Sequence, residues 1–114
     1  MDFPHRGEIY LVRFANQPSD DKNRPALIVS MDVRNQFAND VLVVPITTAN
    51  RPAPTHVRLS RGEGGLKEDS TAKCEQVTTL PKSFLIRGPF AGLISQSKML
   101  EIEKAIQRSI GIPA

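Results

Sequence analysis

The sequence contains very little cysteine, tryptophan and tyrosine. Its 114 residues include one cysteine, Cys74, no tryptophan and one tyrosine. A single cysteine excludes an intramolecular disulfide, and with two widely separated histidines it makes a poor zinc site. We therefore expect no metal and no other cofactor. The scarcity of tryptophan and tyrosine leaves few rings on which nucleic-acid bases could stack.

Long apolar runs are also absent. No stretch approaches the ~18 uninterrupted apolar residues of a membrane-spanning helix, and the N-terminus lacks the apolar segment of a secretion signal. We therefore predict a cytoplasmic protein with no membrane association. With 39% hydrophobic and 24% charged residues, the chain is expected to form one domain, residues 1–114, with a modest core.

The signatures of common catalytic machines are missing. The chain has no nucleophile elbow, no Walker loop, no HExxH motif and no close cysteine–histidine pairing. The glycine-rich residues 62–65 lack the flanking lysine and hydroxyl residue of a phosphate-binding loop, so we expect a turn there. A formal net charge of +3 and a pI near 9.4 mildly favour a polyanionic partner such as nucleic acid.

Short β-prone segments dominate what is present. We predict strands at residues 8–14, 26–30, 41–46 and 55–59, a long polar strand at 70–80, and a last short strand at 88–94. Pro45 predicts a bulge, an edge or a strand end that would take Thr47 and Thr48 out of regular pairing. Residues 15–23 are polar and predict a loop, whereas residues 32–37 and 81–85 predict short helical turns.

The C-terminal segment has helical periodicity. Ser95 is a suitable N-cap, and the helix is predicted to stop at Gly111. The apolar stripe of this helix consists of Met99, Ile102, Ile106 and Ile110. Several strands and one terminal helix predict a mainly β (α+β) fold. The expected form is a strongly curved antiparallel sheet or a small, partly open barrel that the helix partly covers.

Two predicted strands carry polar residues at one end. Arg24 precedes the run from Pro25, and Thr47 follows the run that ends at Ile46. We expect Arg24 and Thr47 to meet. Residue type alone favours simpler roles, namely a surface arginine and a hydroxyl that satisfies a local backbone group. By the same reasoning His56 would be a solvent-facing strand residue and Cys74 a small buried filler.

A series of short motifs nevertheless resembles the MazF/PemK (Kid) toxin family in order along almost the whole chain. The motifs are RGEIY at 6–10, RPALIVS at 24–30, VPIT at 44–47, PTHV at 54–57, GGL at 64–66, DS at 69–70 with EQ at 75–76, and residues 106–112. Each motif is common, but the ordered series is fairly specific.

The resemblance implies the toxin of a type II toxin-antitoxin system. Such a protein is a homodimeric, sequence-specific endoribonuclease (an mRNA interferase) with the compact SH3-like barrel that the family shares with CcdB-type toxins. It implies that Arg24 and Thr47 are the catalytic pair, and that His56, Ser70 and Gln76 contact single-stranded RNA. We expect Lys73 to help hold the RNA backbone. The cognate antitoxin is expected to carry an acidic, partly disordered segment.

The chemistry of RNA cleavage agrees with this assignment. The 2′-hydroxyl is a built-in nucleophile, so the reaction needs alignment and charge stabilisation rather than a metal, and yields a 2′,3′-cyclic phosphate. Arginine stays protonated at neutral pH, so Arg24 would stabilise phosphoryl charge while Thr47 orients the phosphate. The group that takes the 2′ proton is left open among four candidates: His56, Glu63, Asp69 and Glu75.

Two other functions stay open at this stage. One is a non-enzymatic, CcdB-like toxin that binds DNA gyrase, and the other is a catalytically silent RNA-binding barrel. The chain departs from the family pattern at residues 15–23, so the contacts of that loop and the cleavage motif are not transferable from the resemblance.

Overall fold

The computed structural model of the chain describes residues 3–14 and 23–114. These residues form seven strands, two α-helices and three 3-10 turns. The strands are β1 (Ile9–Val12), β2 (Arg24–Ile28), β3 (Asp40–Thr47), β4 (His56–Leu59), β5 (Ser70–Lys73), β6 (Thr78–Pro81) and β7 (Leu85–Arg87), and the helices are α1 (Asp32–Phe37) and α2 (Gln96–Ser109). Residues 15–22 of the predicted loop lie outside the described residues.

The strands form one curved antiparallel sheet rather than a closed barrel. Its order is β4-β5-β3-β2-β1-β7, and β6 also pairs with β3. The predicted curved sheet with a C-terminal helix is therefore confirmed. The strand predicted at 8–14 forms as β1, which lies inside the sheet because it pairs with both β2 and β7.

Strand β3 is the branch point of the sheet. One edge pairs with β2, and the other pairs first with β6, through Val43, and then with β5, from Ile46 onward. Pro45 lies in the gap between these two partners, where its missing N–H breaks no ladder on that edge. The strand continues through it, and Thr47 pairs regularly with Thr71. The expectation that Pro45 would displace Thr47 from regular pairing is wrong.

Apolar side chains cover the two faces of the sheet differently. On one face Leu27, Val44 and Leu59 are buried beneath α2, which contributes Met99 and Ile102 to the same cluster. On the other face a smaller cluster fills only the region around β1, β2, β3 and β6; its buried members are Val12, Ala26, Ile28, Val41, Val43 and Leu80. The β4–β5 end of this second face therefore carries polar side chains.

Helix α2 confirms most of the predicted C-terminal helix. Ser95 Oγ accepts the backbone N–H of Lys98 as N-cap, and Gly111 has a left-handed φ of 88° just past the helix. Of the predicted apolar stripe, Met99 and Ile102 are buried, whereas Ile110 is the C-cap residue and is 67% exposed.

Two segments differ from their predicted form. Residues 70–80 are two strands separated by a 3-10 turn at Cys74–Gln76, not one long strand. The last strand is Leu85–Arg87 rather than 88–94. Gly88 adopts φ 149° before Pro89, and proline cannot donate to a ladder, so pairing ends before these residues. The helical turns predicted at 32–37 and 81–85 are confirmed by α1 and by the 3-10 turn Lys82–Phe84.

Candidate functional site

Arg24 and Thr47 lie on neighbouring strands at the same end of the sheet. Ala26 pairs with Pro45, so two residues further along the antiparallel register Arg24 on β2 stands across from Thr47 on β3. Arg24 is the first residue of β2 and Thr47 is the last residue of β3, and both line one groove. The structure therefore brings the predicted pair together.

The strand that carries Arg24 is packed into the core. Ala26 and Ile28 share the face of Arg24 because side chains alternate along a strand, and both are fully buried. Arg24 itself is exposed, so its guanidinium is mounted on a packed strand but reaches solvent. This combination suits a cation that must keep its aim while it binds an external anion.

The Thr47 hydroxyl makes the local backbone contact expected from its residue type and keeps a donor. Its Oγ1 accepts the backbone N–H of Ala49 at 3.3 Å. A hydroxyl accepts through its lone pairs and donates through its own hydrogen, so this bond does not consume the O–H. Thr47 can therefore donate to a phosphate oxygen while Ala49 fixes its direction.

The groove that contains the pair has a volume of about 700 Å³, and it is here called the catalytic groove after the role predicted for Arg24 and Thr47. It lies on the second, partly open face of the sheet. Its charged and polar lining includes Arg24, Thr47, Lys73, Gln76, Thr78 and Thr79, and aromatic rings come from Phe14 and Phe84. Its two cations and several hydroxyls suit a ligand with both phosphates and polar bases.

Lys73 and Gln76 reach the catalytic groove because the chain turns between them. Lys73 ends β5, and Gln76 ends the 3-10 turn that follows. Cys74, within that turn, is fully buried and holds the turn against the core. The break in the predicted long strand thus places both predicted RNA-contacting residues on one groove.

His56 lies beside the catalytic groove rather than within its lining. It pairs with Lys73 across β4 and β5 and lines a neighbouring depression of about 300 Å³. Its Nδ1 contacts the carbonyl oxygen of Arg51, and its Nε2 lies 3.1 Å from Glu75 Oε1. The side chain is 13% exposed, so the expectation of a solvent-facing ring is wrong.

Glu75 is the charged partner that holds this ring. Partial burial by itself raises the pKa of Glu75. Hydrogen bonds from its own backbone amide, from the Thr55 hydroxyl at 2.9 Å and from His56 outweigh that effect, so the pKa lies below its ordinary value of 4.5. Glu75 is therefore an ionised carboxylate at neutral pH that links β4 to the 3-10 turn bearing Gln76.

Ser70 is not brought to the catalytic groove. It is 2% exposed, and its hydroxyl donates to the carbonyl oxygen of Glu68 at 2.9 Å. It lies at the opposite end of β5 from Lys73 and lines a separate pocket with Thr48 and Phe90. An RNA contact by Ser70 remains a prediction, and the burial of its side chain weighs against it.

Two of the acidic candidates for the proton acceptor have other roles in the fold. Glu63 accepts the backbone N–H and the hydroxyl of Ser95 at 2.9 and 3.0 Å, at the start of α2. Asp69 accepts the backbone N–H of Arg61 at 2.8 Å. Of the four candidates, His56 and Glu75 lie beside residues that line the catalytic groove.

Cys74 is a buried filler, as its residue type predicts. Burial raises the pKa of its thiol to about 12, and the nearby Glu75 carboxylate adds to the shift. The thiol is therefore protonated at neutral pH and is a poor nucleophile. Among the residues that the structure describes, no group of three or more His, Cys, Asp and Glu side chains could hold a metal ion.

The two phenylalanines of the catalytic groove were missed at the sequence level. Phe14 follows β1, and Phe84 closes the 3-10 turn before β7; the guanidinium of Arg13 lies 5.1 Å from the Phe84 ring centroid. In the sequence, Phe14 ends the predicted strand 8–14 and Phe84 falls within the predicted helical turn 81–85. Neither position indicates a groove, so no sequence signal identified these rings.

A curved antiparallel sheet with a helix on one face and a cation-lined polar groove on the other defines a class: a small β protein whose groove suits a polyanion. The chain belongs to the family of PemK-like, MazF-like toxins of type II toxin-antitoxin systems, whose family model matches residues 5–110.

Individual relatives are similar to this chain over almost its full length. Endoribonuclease MazF of Staphylococcus epidermidis is 32% identical over 94% of this chain and 91% of its own length. A solved endoribonuclease from a mycobacterial species is 29% identical, with a TM-score of 0.80 over 100% of this chain and 97% of that one.

A second mycobacterial endoribonuclease structure, solved in complex with its cognate antitoxin, has a TM-score of 0.80 and 29% identity; it covers 97% of this chain and 98% of that one. Deinococcus radiodurans MazF has a TM-score of 0.81 at 18% identity, covering 98% of this chain and 100% of that one. At that identity it supports the fold alone.

Proposed function

We propose that this chain is the toxin of a type II toxin-antitoxin system and acts as a sequence-specific endoribonuclease on single-stranded mRNA, which arrests growth. The observation that carries the proposal is that Arg24 and Thr47 line the same cation-lined groove. Membership of the toxin family and the endoribonuclease relatives support the same activity.

The reaction follows from what these two side chains can do. The 2′-oxygen attacks the adjacent phosphorus, its proton is lost to a base, and the bond from phosphorus to the 5′-oxygen breaks. The products are a 2′,3′-cyclic phosphate and a 5′-hydroxyl, the latter formed when the leaving oxygen gains a proton. Holding the attacking oxygen in line can supply ~7 kcal/mol or more of the barrier reduction.

Arg24 stabilises the extra negative charge of the pentacoordinate phosphorus. A guanidinium matches two phosphate oxygens with two parallel N–H groups and stays protonated at neutral pH. Thr47 donates its hydroxyl to a third oxygen and fixes the orientation of the phosphate. Because the nucleophile belongs to the substrate, these residues can perform the reaction without a metal cofactor.

The test is cleavage of a long single-stranded RNA by the purified protein in the presence of a chelator. We expect a small set of cuts whose 5′ ends accept phosphate directly from a polynucleotide kinase and whose 3′ ends are cyclic. The same RNA annealed to its complement is the control and should stay intact. Absence of cleavage, or 5′-phosphate ends, would contradict the proposal.

The alternative functions receive less support. The relatives that match 94% or more of this chain are named endoribonucleases, which favours that activity over gyrase binding. A catalytically silent RNA-binding protein would bind RNA in the same assay and leave it uncut.

We further propose that the chain binds an antitoxin with an acidic, partly disordered segment. The structural relative solved in complex with its cognate antitoxin supports an antitoxin partner, and a net charge of +3 favours an acidic one. An acidic peptide that covers the catalytic groove would inhibit cleavage; cleavage that persists with saturating antitoxin would contradict this.

We propose a homodimer as the functional form. Met31, Val33 and Phe37, at the start of α1 and on it, are 59%, 55% and 76% exposed, and burying such side chains between subunits is favourable. Sedimentation equilibrium should give the mass of a dimer, and Phe37→Asp should shift it toward the monomer. A monomer mass for the wild type would contradict the proposal.

Single-domain organisation and a cytoplasmic location complete the proposal. The two core clusters share strands β1, β2 and β3, which supports one domain over residues 1–114; limited proteolysis that released two stable fragments would contradict it. In the part of the chain that the structure describes, no helix is long and apolar enough to cross a membrane. Activity on mRNA requires the compartment that holds mRNA, and cell fractionation tests this.

A further inference from the structure

A row of four residues crosses the open face of the sheet. Thr47 on β3 pairs with Thr71 on β5, and Thr71 pairs with Arg58 on β4. Arg24 lines the same groove as Thr47, and the register of β2 with β3, extended two residues beyond Ala26 and Pro45, places it on the other side of Thr47. Directly paired residues share a face, and neighbouring strands lie ~4.8 Å apart. The row therefore has an arginine at each end and two threonines between them, of which Thr71 is buried at 2% exposure.

The side chain of Arg58 reaches from its end of the row toward Thr71. Its Nη1 donates to Thr71 Oγ1 at 2.8 Å. Val57 and Leu59 on either side of it are buried in the core, so β4 anchors the base of the arginine as firmly as β2 anchors Arg24. A guanidinium carries five N–H donors, and the bond to Thr71 uses one of them.

Arg58 also lines the depression beside the catalytic groove. The depression has a volume of about 300 Å³, and its lining includes Asn50, Arg51, His56, Arg58 and Thr71. The His56 ring within it is fixed at both nitrogens by Arg51 and Glu75. The depression is thus preformed, basic and joined to the catalytic groove through the ladder of β3, β5 and β4.

We propose that Arg58 binds the phosphate next to the one that is cut, and that the depression receives the nucleotide attached to it. The inference rests on the proposed ribonuclease activity and adds a positioning residue to it. The anchored guanidinium lies about one strand spacing, ~5 Å, beyond Thr47. A strand whose scissile phosphate lies between Arg24 and Thr47 therefore presents its next phosphate to Arg58.

The first test measures binding without cleavage. The probe is a fluorescein-labelled, mixed-sequence single-stranded RNA with 2′-O-methyl groups throughout, which lacks the nucleophile. We expect Arg58→Ala to bind about tenfold more weakly, as for loss of a charge-assisted hydrogen bond. The slope of log affinity against log salt should fall by about 0.7, the value for one phosphate contact on a single strand.

Two matched variants separate a phosphate contact from a general charge effect. Lys104→Ala removes one positive charge from an exposed position on α2, the helix that covers the opposite face, and should change neither the affinity nor the slope. Arg58→Lys keeps the charge and should restore most of the slope. Equal slopes for wild type, Arg58→Ala and Lys104→Ala would overturn the proposal, as would failure of the folded wild type to bind the probe.

The second test uses cleavable RNA and separates positioning from chemistry. Loss of a flanking contact that is equally strong in the ground state and the transition state raises KM and leaves kcat unchanged. We expect Arg58→Ala to raise KM about tenfold with kcat within about twofold. A fall in kcat at unchanged KM would place Arg58 at the reacting phosphate and overturn the assignment.

The two failures are distinguishable. A wild type that binds the methylated probe but never cuts RNA would contradict the proposed function, while the salt slopes would still decide the role of Arg58. A wild type that cuts RNA with unchanged slopes and KM in Arg58→Ala would keep the function and remove the inference. Thermal melting of each variant confirms that it is folded.

Discussion

Thr47 can both hold its position and donate to substrate because its oxygen accepts the amide of Ala49 while its hydrogen stays available. Arg24 gains its position from buried neighbours on the same strand. Both residue types are common on protein surfaces, so at the scale of single residues the site is defined by strand register rather than by unusual chemistry.

Glu75 gives a residue-scale prediction about pH. Its pKa is lower in the folded protein than its ordinary value of 4.5. The ionised form is therefore favoured by folding, and this stabilisation is present above the ordinary pKa and lost as the pH falls through the lowered one. Glu75→Gln should lower the free energy of unfolding at neutral pH by less than about 1 kcal/mol, because solvent screens the interactions of a partly exposed carboxylate.

Urea unfolding at several pH values checks this prediction. The difference in the free energy of unfolding between wild type and Glu75→Gln should be largest near neutral pH. It should shrink at acid pH, where the protonated glutamate of the wild type is uncharged like the glutamine of the variant. A difference of constant size across the pH range would show that the carboxylate charge does not contribute.

At the scale of elements, sequence patterns predicted what local preference controls. Ser95 and Gly111 mark the ends of α2, and the β-prone runs fall on β1 to β4. The turn at Cys74–Gln76 could not be predicted in this way, because no glycine or proline occurs there. It forms because Cys74 is pulled into the core, a tertiary effect that overrides the β preference of the segment.

The 3-10 turn at Glu63–Gly65 gives an element-scale prediction. Gly64 has a left-handed φ of 56°, and an added Cβ would lie 2.8 Å from Ile9 Cδ1 and 3.0 Å from Ile94 Cγ2. Gly64→Ala should therefore strain the backbone and overpack these two buried side chains. We expect its free energy of unfolding to be about 2–4 kcal/mol below that of the wild type.

Gly92→Ala is the matched control for chemical denaturation. A Cβ there meets no atom within 4 Å, so we expect a change below about 1 kcal/mol. Equal stability of Gly64→Ala and Gly92→Ala would mean that the turn relaxes without strain and that its packing against β1 is dispensable.

At the scale of the whole molecule, the two faces of the sheet have separate tasks. Helix α2 and its cluster stabilise one face, and the partly uncovered second face collects Arg24, Lys73 and Arg58. Strand patterns and the family resemblance predicted Arg24, Thr47, Lys73 and Gln76 on one site. They did not predict which face Ser70 would occupy, because a turn inside residues 70–80 changes the alternation of side chains.

The most direct test of the catalytic pair compares single-turnover cleavage by wild type, Arg24→Ala and Thr47→Val on one RNA in the presence of a chelator. Loss of the guanidinium should slow cleavage by roughly 100- to 1,000-fold, the usual effect of removing one donor that stabilises a transition-state oxyanion. Loss of the hydroxyl should slow it by about tenfold. Cleavage by folded Arg24→Ala at the wild-type rate would contradict the assignment of catalysis to this pair.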